Sequence, residues 1–224
     1  MSNLYVVATP IGNLEDITFR AVRILSEVSL IAAEDTRHTK ILLDKYNIKT
    51  PLSSYHKFNI RGKTAYFIER LKAGEDIALV SDAGTPGISD PGVELIQSAI
   101  KEGISVVSIP GASAVISALA VSGLDTEKFL FIGFLPKKPG KARKVLKELS
   151  LFDGTIIIYE SPYRILKTLE AVNTVLGDRK VAVVRELTKK FEEIIRGSAL
   201  DVIKSFEGKT VKGEIVLLVE GKKD

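Results

Sequence analysis

Ile77-Ala78-Leu79-Val80-Ser81-Asp82-Ala83-Gly84-Thr85-Pro86-Gly87-Ile88-Ser89-Asp90-Pro91-Gly92 joins a short apolar run to a loop of glycine, proline and aspartate. Residues 77–81 read as a strand, and residues 93–102, which end before Gly103, read as an amphipathic helix. The connection between them is longer than a turn requires, since typical connections take about 4–6 residues. At the carboxyl end of a sheet strand such a loop is where α/β proteins bind ligands. Gly84 and Gly87 let backbone approach a ligand closely, and Asp82 can accept hydrogen bonds from hydroxyls or an amine. The competing reading is a rigid surface loop.

The same alternation extends outward in both directions. Toward the N-terminus the spacing predicts strands over residues 4–8, 30–33 and 52–55, with helices over 17–27, 36–46 and 63–73. Asp16 or Thr18 and then Thr36 are candidate N-caps, while Gly74 and Gly103 stand where helices stop. With a further strand at 106–109, five strands joined by helices make a mostly parallel sheet. Beyond it, residues 113–121, rich in Ala, Val and Ser, read as a buried helix bridging two halves. The second half repeats the theme, with strands at 129–134, 155–159, 181–184 and 215–219 and helices at 143–149, 163–176 and 199–206. Two α/β domains follow, residues 1–112 with a mostly parallel sheet and residues 113–224 with a mixed one, and no low-complexity linker separates them. Close packing of the two would leave a cleft for a ligand.

Composition narrows the chemistry. The 224 residues are 45% hydrophobic, enough to fill real cores, and include no cysteine, which removes disulfides, thiolate metal ligands and a cysteine nucleophile. His38 and His56 are too few for a typical zinc site, so no metal is expected. The N-terminal stretch lacks a basic region and a long apolar core, and no run approaches the roughly 20 apolar residues that cross a bilayer. A soluble, cytoplasmic protein with no membrane partner is the expectation. A net charge of +4 and a pI of about 9.1 raise the odds of a polyanionic partner modestly.

Several familiar sites are absent. The first strand leads into Ala8-Thr9-Pro10-Ile11-Gly12-Asn13, not the G-x-G-x-x-G turn of a dinucleotide site. Gly62-Lys63-Thr64 and Gly208-Lys209-Thr210 mimic the end of a phosphate-binding loop, but Lys57 and Ile203 stand where its upstream glycine belongs. No G-x-S-x-G elbow or H-E-x-x-H helix occurs. What remains, besides residues 81–92, is Ile109-Pro110-Gly111-Ala112-Ser113-Ala114, whose small side chains suit either a flat ring beside backbone amides or close helix packing.

Taken together, Ala8 through Ile17, Glu34-Asp35-Thr36-Arg37, the 81–92 loop, Pro110 to Ala114, Gly133-Phe134-Leu135-Pro136-Lys137-Lys138, Tyr159-Glu160-Ser161-Pro162, Arg185-Glu186-Leu187-Thr188-Lys189 and Gly213-Glu214-Ile215 resemble the ribosomal RNA small subunit methyltransferase I family. That family lies within the tetrapyrrole methylase-like superfamily, and the likeness runs from the first strand to the last. It implies a class III methyltransferase-like fold, two α/β domains with S-adenosylmethionine in the interdomain cleft. The implied reaction is methyl transfer to the 2'-oxygen of a cytidine in 16S ribosomal RNA, with the RNA or the small ribosomal subunit as partner, and a homodimer is left open. By motif, cofactor contacts would come from Pro10, from Val80, Ser81, Asp82, Ala83, Gly84 and Thr85, from Ser113 and Ala114, from Glu160 and Leu187, and from the loop at Gly213. Two departures stand out: the family commonly has His where Tyr163 stands and an acidic residue where Lys57 follows His56. Some relatives also continue beyond this chain's end, so RNA contacts supplied there would need a replacement.

Methyl transfer from a sulfonium is an in-line displacement whose rate comes mostly from positioning, with a nearby acceptor for the hydroxyl proton. Glu186 and Glu160 are candidate catalytic acceptors, with Asp35 a third, and Lys189 or Arg185 can lower the energy of the developing alkoxide. Each reads equally well as an ion pair. His38 and His56 more often serve structure. Lys137, Lys138, Lys141, Arg143, Lys144 and Lys147 fall in one stretch with no acidic residue among them, read here as RNA phosphate contacts and alternatively as a solvated helix face. The rival functions are methylation of a tetrapyrrole or of a protein side chain, and a noncatalytic RNA-binding assembly factor.

Overall fold

The computed structural model describes residues 2–223, which form two compact units divided after Ser113. In the first unit, β1 (Asn3–Val7), β2 (Leu30–Ala33), β3 (Leu52–Ser54), β4 (Ile77–Val80) and β5 (Ser105–Ile109) form one sheet in the order β3-β2-β4-β1-β5. Every pairing in it is parallel. Crossover helices α1 (Phe19–Glu27), α2 (Thr36–Lys45), α3 (Ile60–Lys72) and α4 (Val93–Lys101) cover both faces. β2 and β4 are buried at every residue, which is why they read as continuous apolar runs without alternation.

The two faces hold separate cores. Val7, Ile31, Ala33, Ala78 and Val80 pack against Ala21, Ile24 and Leu25 of α1 and Leu43 of α2. Leu4, Leu30, Ala32, Ile77 and Leu79 pack on the other side against Phe67, Ile68 and Leu71 of α3 and Leu95 and Ala99 of α4. Helices α1 and α4 therefore leave the adjacent strands β1 and β4 toward opposite faces. That divergence opens a crevice at the carboxyl ends of β1 and β4, the topological switch point of an open parallel sheet.

The second unit is a mixed sheet, β6-β7-β10-β8-β9, built from β6 (Phe129–Phe134), β7 (Thr155–Glu160), β8 (Lys180–Arg185), β9 (Glu193–Ser198) and β10 (Ile215–Val219). β6 and β7 run parallel, and β10 pairs antiparallel with both β7 and β8. Alternate residues of β10 serve opposite faces. Ile215, Leu217 and Val219 meet α6 (Pro139–Glu148), α7 (Ile165–Leu176) and α8 (Ala199–Ser205), while Val216 and Leu218 meet α5 (Ala114–Ser122). No helix among the described residues is long and apolar enough to cross a membrane.

Several elements differ from those the sequence predicts. The strand β9 was not anticipated: it pairs with β8 through Glu193-Ile194-Ile195-Arg196-Gly197-Ser198, an edge strand too polar to stand out as an apolar run. Asp35, not Thr36, caps α2, its carboxylate accepting from the Arg37 amide at 2.8 Å. Thr18 does cap α1, accepting from Ala21. Helix α6 begins at Pro139, four residues before the expected 143, because proline is well suited to a first helical turn. Helix α7 begins at Ile165, which leaves Tyr163 in the preceding turn. The helix expected to be buried, α5, buries only Val115, Ala118, Leu119 and Ser122, and leaves Ile116 and Val121 exposed.

Candidate functional site

At the switch point the loops after β1 and β4 are tied together by a two-residue bridge. The Thr9 amide donates to the Gly84 carbonyl at 2.9 Å, and the Gly84 amide returns the bond to Thr9 at 3.0 Å. Thr9 Oγ1 adds a bond to the Ser81 carbonyl at 3.1 Å. Gly84 makes this possible with φ of +72°, in the left-handed region that side chains disfavour. Pro10 and Gly84 are buried, and Val80, Ser81, Asp82, Ala83 and Thr85 continue the same wall. The loop after β5 closes on it, since a Cβ on Gly111 would stand 3.1 Å from the Ala8 Cβ. Ser113 and Ala114, half-buried, follow directly.

Charge at this wall is acidic. Asp82 Oδ1 accepts from the Asp35 amide at 3.0 Å, which fixes the carboxylate at the end of β2. Burial, then the charges of Glu34 and Asp82, push Asp90 up to about 6. Burial, then the charge of Asp82, also raises Glu34. Three carboxylates thus repel one another across the loop, a field that a positively charged ligand would relieve. No group of three or more acidic or histidine side chains among the described residues is arranged to hold a metal ion. Asp35 itself is held well below the carboxylate range by its bonds from Arg37, so it stays ionised and occupied. Beside Asp82 lies a small cavity of about 50 Å³ lined by Thr9, Pro10, Leu14, His38 and Thr39. The Thr39 hydroxyl there is buried without a protein partner. Glu34 and Asp90 stand in segments that the sequence marked, without being among its candidate site residues, and Thr39 lies outside every motif.

This field carries a pH prediction. A carboxyl whose folded pKa is raised contributes stability below its ordinary value, and loses it as pH rises through the folded one. Asp90→Asn should therefore stabilise the fold at pH 7 and lose that advantage by pH 4. The gain, discounted for solvent screening of a half-buried group, is about 1 kcal/mol. Chemical denaturation at the two pH values checks it, and an equal difference at both would overturn the repulsion.

In the second unit Glu186 and Lys189 come together, and Glu160 stands apart. Glu186 Oε1 accepts from the Glu214 amide at 2.9 Å and from Lys189 Nζ at 3.1 Å, while Lys189 Nζ also meets Glu214 Oε2 at 2.9 Å. The bond from the Glu214 amide, and then Lys189, lower the Glu186 carboxyl against the opposing effect of burial. Burial alone would lower the Lys189 ammonium, but its bonds to Glu214 and Glu186 together raise it. Leu187 packs beside this turn, and Gly213, at φ of +90°, lies so close to Glu186 that a Cβ would overlap its carboxylate. Glu160 has no side-chain exposure. Its oxygens accept from Thr168 Oγ1 at 2.6 Å and the Ser161 amide at 2.7 Å, with Arg164 at 3.4 Å. Such a carboxylate organises the start of α7.

The basic stretch keeps its side chains in solvent. Lys137, Lys138, Lys141, Arg143, Lys144 and Lys147 are all exposed, whereas Ala142, Val145, Leu146 and Leu149 face the core. The helix α6 therefore presents a cationic face opposite its apolar one.

The family model described as Tetrapyrrole (Corrin/Porphyrin) Methylases matches residues 3–202. A "Ribosomal RNA small subunit methyltransferase I" from Halalkalibacterium halodurans is 53% identical over 97% of this chain and 75% of its own length. The Bacillus subtilis protein of that name is 50% identical over 99% of this chain and 76% of its own. The Thermotoga maritima one is 47% identical, covering 99% of this chain and 100% of its own. Among solved structures, diphthine synthase superposes with a TM-score of 0.74 at 15% identity, covering 99% of this chain and 91% of its own. A Thermus thermophilus uroporphyrin-III-C-methyltransferase does so with 0.68 at 20%, covering 98% and 94%. Identities that low speak to fold alone, but with half of the residues shared across nearly its whole length, the chain belongs to the ribosomal RNA small subunit methyltransferase I family of the tetrapyrrole methylases.

Proposed function

We propose that this chain methylates the 2'-hydroxyl of a cytidine ribose in 16S ribosomal RNA, using S-adenosylmethionine. The observation that carries the reading is the switch-point loop, acidic and glycine-hinged, in a chain about half identical to proteins named for small-subunit ribosomal RNA methylation. The residues fit the cofactor: it is a cation in both its sulfonium and its amine, and Glu34, Asp82 and Asp90 repel one another for want of one. Backbone at Val80 to Thr85, beside Pro10, would hold it, with Ser113, Ala114, Leu187 and Gly213 as the further contacts that family likeness suggests. When bound, it supplies the electrophilic methyl group.

The chain's own part is chiefly positioning, since a well-oriented pair of reactants gains several orders of magnitude without further chemistry. Glu186 is a poor proton acceptor, because the bonds that lower its pKa weaken it as a base. Its better-supported role is to hold Lys189 and the Gly213 loop, leaving Lys189 charged and able to steady negative charge on a nearby oxygen. Glu160, shut away from solvent, holds the turn before α7 in the same supporting sense. The exposed cationic face of α6 is the proposed phosphate contact.

Small subunits from cells lacking the protein, incubated with it and isotopically labelled S-adenosylmethionine, provide the test. Nuclease digestion and mass spectrometry should find label in 2'-O-methylcytidine. Label on a base, or only on protein, would overturn the reading.

A further inference from the structure

Between α6 and α7 runs a groove of about 510 Å³, lined by Leu135, Pro136 and Pro139 on one side and by residues 163–174 on the other. At its mouth the Tyr163 ring is 92% exposed, whereas Tyr159, on the strand before it, packs edge-on against Phe131 and Phe134. The exposed ring stands on a rigid support. The Tyr163 amide donates to Ser161 Oγ at 3.3 Å, and the Arg164 guanidinium reaches back to the carbonyls of Leu135 at 3.0 Å and Pro136 at 3.3 Å. Beneath them Glu160 accepts from Ser161 and Thr168. The backbone beneath the ring is thereby fixed, and the ring itself is open to a planar partner.

Besides Arg164, three cations share the groove with Tyr163. Lys137, Arg143 and Lys167 are exposed and line it, and none makes an ion pair among the described residues. Glu170 is the one acidic residue in the lining. Beyond the rim, Lys141, Lys144 and Lys147 continue the positive track along α6. An open aromatic face flanked by unpaired cations is the arrangement that binds single-stranded nucleic acid, through base stacking and phosphate contact together. A duplex buries its base faces within the stack and offers the ring nothing. We propose that this groove binds a single-stranded segment of RNA, with Tyr163 as the platform for an unstacked base and Lys137, Arg143 and Lys167 on the neighbouring phosphates. The inference rests on the RNA methyltransferase reading for its choice of nucleic acid, and gives that substrate a place of contact on the second unit.

The test is titration of the full chain, without cofactor, against a fluorescent ten-nucleotide single-stranded RNA, the same RNA in duplex, and a glutamate-rich peptide. Single-stranded RNA should bind most tightly. Tyr163→Ala should weaken it about tenfold, in line with the loss of one stacked base, while Tyr163→Phe keeps the affinity. Changing Lys137, Arg143 and Lys167 together to glutamine should flatten the dependence of binding on salt. Because Tyr163 is exposed, thermal melting of each tyrosine variant should match the parent. Parental affinity in Tyr163→Ala, or tighter binding of the duplex or the peptide, would overturn the proposal. Methylation is assayed separately: a chain that methylates RNA with unchanged Tyr163→Ala binding keeps the function and loses the groove, and the converse result keeps the groove alone.

Discussion

Gly84→Val is expected to weaken S-adenosylmethionine binding about a hundredfold while the first unit still folds. At φ of +72° a side chain costs about 1–2 kcal/mol, and a β-branched one tends to the upper end. A Cβ there meets only Ile11 Cγ2 at 3.6 Å and the Ala112 carbonyl at 3.8 Å, so collision is not the cause. The backbone instead stays strained while the paired bonds with Thr9, each worth about 1 kcal/mol, are weakened. A loss near 3 kcal/mol is about two orders of magnitude in affinity. Calorimetry would measure it, with Gly84→Ala falling between the two because its single methyl spares the branching. Parental affinity in the valine variant would remove this bridge from the cofactor site.

Gly213→Ala should have the larger effect on stability. The new methyl overlaps the Glu186 carboxylate, and the strain of φ at +90° adds to it. Swinging Glu186 aside strands the Glu214 amide and leaves Lys189 with Glu214 alone, at about 1.5–3 kcal/mol for hydrogen bonds to a charged group. The second unit should lose roughly 10 °C or more in melting temperature, and methyl transfer should fall with it. Glu186→Gln separates charge from shape, since the amide keeps an acceptor for Glu214. The Glu186 carboxyl is lowered from its ordinary 4.5, so its contribution is present above that value and lost as pH falls through the depressed one. The gap in stability between parent and Glu186→Gln should therefore be constant above the ordinary carboxyl range and shrink as pH falls below it. A persistent gap there, or an unaltered melt for Gly213→Ala, would show that the turn is held by something else.

Much of this was legible in the sequence because both sheets are covered on two sides. Buried strands such as Leu30–Ala33 and Ile215–Val219 carry unbroken apolar runs, and these were located to the residue. The edge strand β9 escaped because Glu193, Arg196, Gly197 and Ser198 leave only Ile194 and Ile195 as an apolar signal, and Arg196 turns to the carbonyls of Val121 and Ser122 at the end of α5. The 81–92 loop announced itself by composition. The bridge from Thr9 to Gly84 did not, because nothing local in either segment specifies a partner about 75 residues away. The same holds for Glu186 and Gly213, whose mutual fit exists only once β8 and β10 lie side by side. Glu160 shows the reverse limit: sequence marked it as chemically able, and only burial shows that its oxygens are already taken.

The position of β10 also sets the order of events during synthesis. β10 is the last strand of the second sheet to leave the ribosome, yet it lies in the middle, with β7 on one side and β8 on the other. Until residues 215–219 emerge, the β6-β7 pair and the β8-β9 hairpin have no strand pairing between them, and the buried edges of β7 and β8 stand open. The first unit has all five of its strands by residue 109 and can close while translation continues. The second unit thus lacks its central strand until the last residues are made, and the open edges of β7 and β8 are what a chaperone would have to protect in that interval.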